Sequence, residues 1–280
     1  MKKLKDILRI INVTKSFTRD VVNIRGVSEN ERFYIIEDLK MSVTEGKITA
    51  LIGGNGAGKT TLFNIISGFI APDRGDIELR YNGEFRSINR LPPYEIARGR
   101  FAIGRVFQDY HLFSNMTVLD NMLIADSQTS GENPLSALIN FKRNRKIEIK
   151  RLQRVEDTFI ELFGSDNEFW QHRDFLAKSL SYGQQRLLGL ARLFIGDYKL
   201  VLLDEPTEGV NPRYINKIED VIKRMVAEKN ISVFLIEHNM DFVISVADFC
   251  RFMSHGKITA FGTPQDVLNH PDVRRTYLGI

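Results

Sequence analysis

Apolar positions along the 280-residue chain follow two rhythms, and each predicts its own kind of element. A rough alternation over residues 7–17 (Ile7, Leu8, Ile10, Ile11, Val13, Phe17) and again over 32–43 predicts two strands. The polar, glycine-containing sequence between them has no clear period. Asn82-Gly83 inside residues 76–85 predicts a hairpin, the strongest short signal of that kind, and with it an antiparallel lobe of three strands. Leu200-Val201-Leu202-Leu203 is a short continuous apolar run, the pattern of a parallel strand buried on both faces. Ile48–Ile52 and Ile231–Ile236 are similar runs, and residues 249–254 and 257–261 form a strand pair about His255-Gly256. Helical spacing marks Leu62, Phe63, Ile65, Ile66 and Phe69, then Ile149, Leu152, Val155, Phe159 and Phe163 within about 134–163. A further helix opens at Ser181 and runs to about Ile195, and a short one begins at Pro264. Strands and helices interleaved in this way predict an α/β fold.

Composition narrows the setting. The length suits one core, or one core with a smaller lobe beside it. No apolar run approaches the roughly 18 residues that cross a bilayer. Asp6 and Arg9 interrupt the apolar part of the amino terminus, which argues for an amphipathic first strand and against a signal peptide. Cys250 is the only cysteine, so no intrachain disulfide forms, which suits a reducing compartment. The net charge of +4 fits an anionic neighbour (lipid, nucleic acid or nucleotide) and equally fits ordinary solubility. Lys142, Arg143, Arg145, Lys146, Lys150, Arg151 and Arg154 stand against one acid, Glu148. That run reads as a solvated helix face or as a contact with anionic lipid.

The candidate chemistry begins at Gly53-Gly54-Asn55-Gly56-Ala57-Gly58-Lys59-Thr60-Thr61, between an apolar strand and a helix. Residues 53–60 fit the phosphate-binding pattern G-x-x-x-x-G-K-[ST], in which glycines turn successive backbone amides toward one anion. Lys59 is expected to reach the outer phosphates and Thr60 to ligate Mg²⁺. The loop by itself specifies a nucleoside triphosphate and leaves the reaction open. Asp204-Glu205 close the apolar run 200–203, and open α/β sheets place ligands at such strand ends. Asp204 is the expected Mg²⁺ partner and Glu205 the base for an attacking water. His238 follows the strand 231–236 at the same edge and is placed to sense the terminal phosphate. Ser181 is a natural N-cap with Gln184 completing a capping box, a full structural account of both residues. The same hydroxyl, the amides behind it and Gly183 also make a second anion site. Phe17 has two open readings, stacking on adenine or packing on its own sheet. Gln108 alone reads as a surface amide.

In this order, the phosphate loop, Gln108, Leu180-Ser181-Tyr182-Gly183-Gln184, Asp204-Glu205-Pro206 and His238 resemble the ATP-binding subunit of ABC transporters over nearly the whole chain. Residues 61–69, 111–121 and the closing Tyr277-Leu278-Gly279 resemble its branched-chain amino acid uptake subfamily. The resemblance implies an ATPase with a RecA-like parallel core and antiparallel lobe (about 1–108 and 198–262), a helical subdomain (about 109–197) and a helical tail (263–280). It implies ATP and Mg²⁺ as cofactors, with Gln108 at the metal and reporting the state of the site. It also implies a second ATP-binding subunit facing the first head to tail, so that Ser181, Gly183 and Gln184 of one chain close over nucleotide held by Lys59 and Thr60 of the other. The remaining implied partners are a transmembrane permease and an extracytoplasmic solute-binding protein, at the cytoplasmic face of the inner membrane, with no nucleic acid. The rivals are a soluble ABC ATPase of nucleic acid or ribosomes and the ATPase of a lipid or lipopolysaccharide exporter. Gly54, Tyr182 and Glu208 depart from the family, which commonly has Pro, Gly and a small residue there, and residues 18–33 exceed the usual link.

Overall fold

A computed structural model describes residues 4–22, 28–98, 101–107, 112–126, 141–164 and 168–278. The chain divides into two compact units, one of residues 1–105, 199–205 and 230–280, the other of 106–198 and 206–229.

Two sheets build the first unit. Strands β1 (Asp6–Val22), β2 (Ser28–Thr44), β4 (Arg74–Tyr81) and β5 (Glu84–Ser87) form an antiparallel sheet in the order β2-β1-β4-β5. The predicted hairpin closes β4 onto β5, with Asn82 and Gly83 both at positive φ. The other sheet runs β10-β9-β3-β8-β7-β6, from Lys257–Gly262, Phe249–Ser254, Ile48–Ile52, Ser232–Ile236, Leu200–Asp204 and Ile103–Val106. Its central strands β3, β7 and β8 are buried at every position and pair in parallel, which is why their sequences are continuous apolar runs and do not alternate.

The first two strands are longer than the sequence pattern predicts. They pair from Asp6↔Thr44 as far as Val22↔Ser28, well past the expected ends at 17 and 32. At 18–20 and 30–32 the side chains are exposed, so no apolar period marks the extension there. Cross-strand contacts hold it, with Phe17 and Phe33 rings 6.3 Å apart and Arg19 paired with Glu31 at 2.6 Å. At its base Asp73 accepts from the Ser16 hydroxyl (2.6 Å), the Ser16 amide (2.8 Å), Lys15 (2.9 Å) and Arg32 (3.1 Å). These donors, the Ser16 hydroxyl first, hold the Asp73 carboxyl well below the usual carboxylate range.

Helices Val118–Ala125, Phe141–Phe163, Glu168–Gln171, Tyr182–Ile195 and Pro212–Lys229, with the short 3₁₀ helix Ala177–Ser179, are regular structure of the second unit. Phe159 stacks on Phe169 at 5.8 Å, and Phe163 meets Phe169 at 4.7 Å, so the predicted apolar stripe is core from Val155 onward, whereas Ile149 at its start is exposed. The stretch 134–140, expected to be helical, lies outside the described residues. Of the basic run, Arg151 and Arg154 point inward to the buried Asp126, at 3.5 and 2.7 Å, while Arg145, Lys146 and Lys150 are exposed. Two of the cations offered to lipid are thus internal ion pairs.

Candidate functional site

The phosphate loop leaves β3 at Ile52 and enters the helix Lys59–Ile66. Gly58 is the N-cap residue at φ 104, and a Cβ there would lie 2.8 Å from the Ile35 carbonyl oxygen. Only glycine takes that conformation in that space without strain. The helix start has no side-chain cap, so its leading amides are left for a ligand. The turn at Gly256 braces the loop from outside, donating its amide to the Ala57 carbonyl at 3.1 Å. Lys59 is buried and donates to the Gly53 and Gly54 carbonyls at 2.8 and 3.0 Å. Burial pushes its pKa down, and Glu205 and Asp204 pull it back up. Thr60 is exposed beside it and Thr61 half-buried, while Asn55 and Gly56 stand exposed at the loop tip.

Asp204 ends β7, buried, with Arg105 Nη2 3.5 Å from its carboxylate. Arg105 also donates to the Ser67 hydroxyl at 3.1 Å, and burial lowers its pKa against the pull of Asp204. Sequence reasoning missed Arg105, although a lone cation inside the apolar run 101–107 was a visible signal. Glu205 sits at φ 51, donates its amide to the Ile236 carbonyl (3.0 Å) and holds its carboxylate 3.0 Å from His238 Nε2. A non-glycine residue in that conformation is uncommon and is held by its surroundings. The neighbouring Glu237 is buried and accepts from the His238 and Asn239 amides at 2.9 and 3.1 Å, which fixes the turn that carries His238.

These residues therefore gather at one sheet edge, as their positions at strand ends predict. A carboxylate and a hydroxyl are hard oxygen donors, and few protein ligands suit an ion such as Mg²⁺ that keeps waters and takes phosphate oxygens. Among the described residues no cluster of three or more His, Cys, Asp or Glu forms a closed metal site. Gln108 and His111 lie outside the described residues, as does Gly279. Phe17 lies at an exposed position of β1 with Lys15 Nζ 5.4 Å from its ring centre and Phe33 beside it, a position compatible with both of its readings.

In the second unit, Ser181 is the N-cap of the helix Tyr182–Ile195, and the predicted capping box is complete. Gln184 Oε1 accepts from both the amide and the hydroxyl of Ser181 at 2.8 Å. Gly183 lies beneath the ring of Tyr214, where a Cβ would come within 2.4 Å of ring carbon. Tyr182 and Glu208 are exposed.

A buried lysine in a glycine loop between a parallel strand and a helix, with acid-ended strands beside it, defines a phosphate-loop nucleoside triphosphatase. The chain belongs to the ABC transporter family, whose model matches residues 36–208. It is an ATP-binding subunit of that family, an ATPase of α/β fold. It is similar to the high-affinity branched-chain amino acid transport ATP-binding protein LivG of Salmonella typhimurium, 35% identical over 87% of this chain and 91% of LivG. It is also similar to the lipopolysaccharide export system ATP-binding protein LptB of Acidithiobacillus ferridurans, 30% identical over 99% of this chain and 98% of LptB. A solved ATP-binding cassette of an ABC transporter in its ADP conformation superposes with a TM-score of 0.74 at 28% identity, over 99% of this chain and all of that one. Among the described residues no helix is long and apolar enough to cross a membrane.

Proposed function

We propose that this chain hydrolyses ATP to drive import of a small polar solute, of the branched-chain amino acid kind, through a separate membrane permease. In this reading it is a single ABC ATP-binding domain that works at the cytoplasmic face as one of two facing copies or near copies. One observation carries the mechanism. The chain has two helix starts ready for anions, at Lys59 and at Ser181, and one nucleotide loop. Two copies head to tail use both, the loop of one holding nucleotide and the Ser181-Tyr182-Gly183 turn of the other closing over it. Shifting such a pair from 1:99 to 99:1 closed takes about 5.5 kcal/mol of differential binding. Two shared nucleotides supply it, and hydrolysis withdraws it.

The roles follow from chemistry at named atoms. Lys59 gives up its contacts with the loop carbonyls and turns its ammonium to the outer phosphates. Mg²⁺, held by Thr60, Asp204 and Gln108 together with phosphate oxygens, would neutralise charge on the phosphates. Glu205 takes a proton from water as its oxygen attacks the terminal phosphorus, and ADP and inorganic phosphate leave. His238, already 3.0 Å from Glu205, donates toward the terminal phosphate and keeps that carboxylate in line. Phe17 offers a face to the adenine.

The likeness to LivG supports import, and the likeness to LptB supports a second reading, export of lipopolysaccharide. Glu205→Gln is the test of the engine. Its phosphate release is expected to fall by about a hundredfold or more, while ATP and Mg²⁺ convert it to a dimer measured by light scattering. Full turnover, or a monomer at saturating ATP beside its permease, removes the mechanism. Identifying the membrane protein that co-purifies in mild detergent decides between the two cargoes.

A further inference from the structure

Arg186 is an unusual residue to find one turn into the helix Tyr182–Ile195, because it is 1% exposed although charged. Burying a guanidinium is costly unless its hydrogen bonds are made inside the protein. Two of them are made to groups at the surface. Its Nη2 donates to the hydroxyl of Tyr182, one turn earlier, and to the backbone carbonyl of Glu208 at 3.2 Å. The guanidinium carbon also lies 4.7 Å from the centre of the Tyr182 ring. The same ring also covers the loop, since a Cβ on Gly209 would stand 3.4 Å from Tyr182 Cε1. Residues 206–211 are thereby held to the first turn of the helix 182–195. A second anchor lies just beyond, where the Tyr214 ring occupies the space above Gly183.

The held loop has its own internal order. Val210 donates its amide to Thr207 at 3.2 Å, and Asn211 accepts the amides of Arg213 (side-chain oxygen, 3.1 Å) and Tyr214 (backbone oxygen, 2.9 Å). Ser181, Tyr182, Glu208, Gly209 and Asn211 remain exposed, so the turn that caps nucleotide and the loop beside it present outward-facing groups from one tied block. Tyr182 also accounts for its own departure from the family pattern, because glycine there could neither accept from Arg186 nor cover Gly209.

We propose that Arg186 and Tyr182 form a clamp that makes the 206–211 loop and the Ser181–Gly183 turn one preformed docking surface for the second copy, with Arg186 as the positioning residue. This rests on the nucleotide-bridged pair described above. A loop free of the clamp would have to be ordered at each closure, and that cost would appear as weaker closure at the same nucleotide affinity.

The test is run in the Glu205→Gln protein with ATP and Mg²⁺, comparing it with versions that also carry Arg186→Gln, Arg186→Lys or Tyr182→Phe. The ATP concentration for half-maximal dimer formation is expected to rise about tenfold or more in Arg186→Gln. Tyr182→Phe, which keeps the ring and loses one acceptor, raises it about threefold, and Arg186→Lys falls between. Binding of a fluorescent ATP analogue to the monomer is expected to stay within about twofold of the parent, because Lys59 and its loop are untouched. Hydrogen exchange at the Val210 amide is expected to speed up about tenfold in Arg186→Gln. Unchanged dimer formation in Arg186→Gln and Tyr182→Phe overturns the clamp. So does a weakening that merely tracks loss of monomer binding or of melting temperature. Should the Glu205→Gln parent itself fail to dimerise, the paired-cassette reading fails, and Val210 exchange still decides whether the clamp exists.

Discussion

The helix starts at residues 59 and 182 carry the same electrostatic promise and are finished in opposite ways. At Lys59 the N-cap is a glycine in left-handed conformation without any side-chain cap, and a buried lysine is held under the loop by carbonyl oxygens. At Tyr182 the N-cap is a serine in a capping box with Gln184, which satisfies the amides of Ser181 and Gln184 and leaves those of Tyr182 and Gly183 for an anion. The first is uncapped and carries the charge of a buried lysine, the second is capped by neutral side chains at two of its amides. A surface that waits in water has its uncapped amides solvated until a partner's phosphate replaces the water. A loop that encloses its ligand needs them.

Lys59→Ala breaks the charged start and has the largest expected effect on nucleotide binding. Each hydrogen bond to a charged group contributes about 1.5–3 kcal/mol, so nucleotide affinity measured by calorimetry is expected to fall by about a hundredfold or more. Retained affinity would mean that the loop amides alone bind the phosphates. Next comes Arg105→Met, which strips the buried Asp204 of its cationic neighbour. Removing one partner of a buried pair costs about 3–5 kcal/mol, read as a lower denaturation midpoint of the free chain, and an unchanged midpoint would show that Asp204 carries no burden of charge.

The neutral start is predicted to respond more mildly. Gly183→Ala forces a methyl into the Tyr214 ring and is expected to cost about 1–3 kcal/mol of stability by overpacking. The pair Gly183→Ala with Tyr214→Leu should recover part of it, and no recovery would place the strain elsewhere. Ser181→Ala removes a cap and is expected to cost about 1 kcal/mol, with nucleotide binding by the monomer unaltered. A loss of monomer binding on that change would erase the distinction between the two starts.

Much of the site could be seen in the chain before folding, for a local reason. A phosphate loop, a capping box and an Asn-Gly hairpin are closed by hydrogen bonds within a few residues, so spacing specifies them. The apolar runs ending in Asp204-Glu205 and Glu237-His238 likewise carry their own register, because a parallel strand buried on both faces has no polar position to spare. Tertiary structure alone decided what stands next to those groups. Arg105 beside Asp204, Arg186 under Glu208 and Tyr214 over Gly183 join residues far apart in the chain, and a contact of that kind leaves no period to read. The extension of β1 and β2 was hidden for a related reason, since a ribbon exposed on both faces is held by pairing across strands and not by an apolar face. Sequence thus determined which groups could meet a nucleotide. Packing decided which of them carry charge in the interior, because only the folded chain sets the neighbours that must balance it.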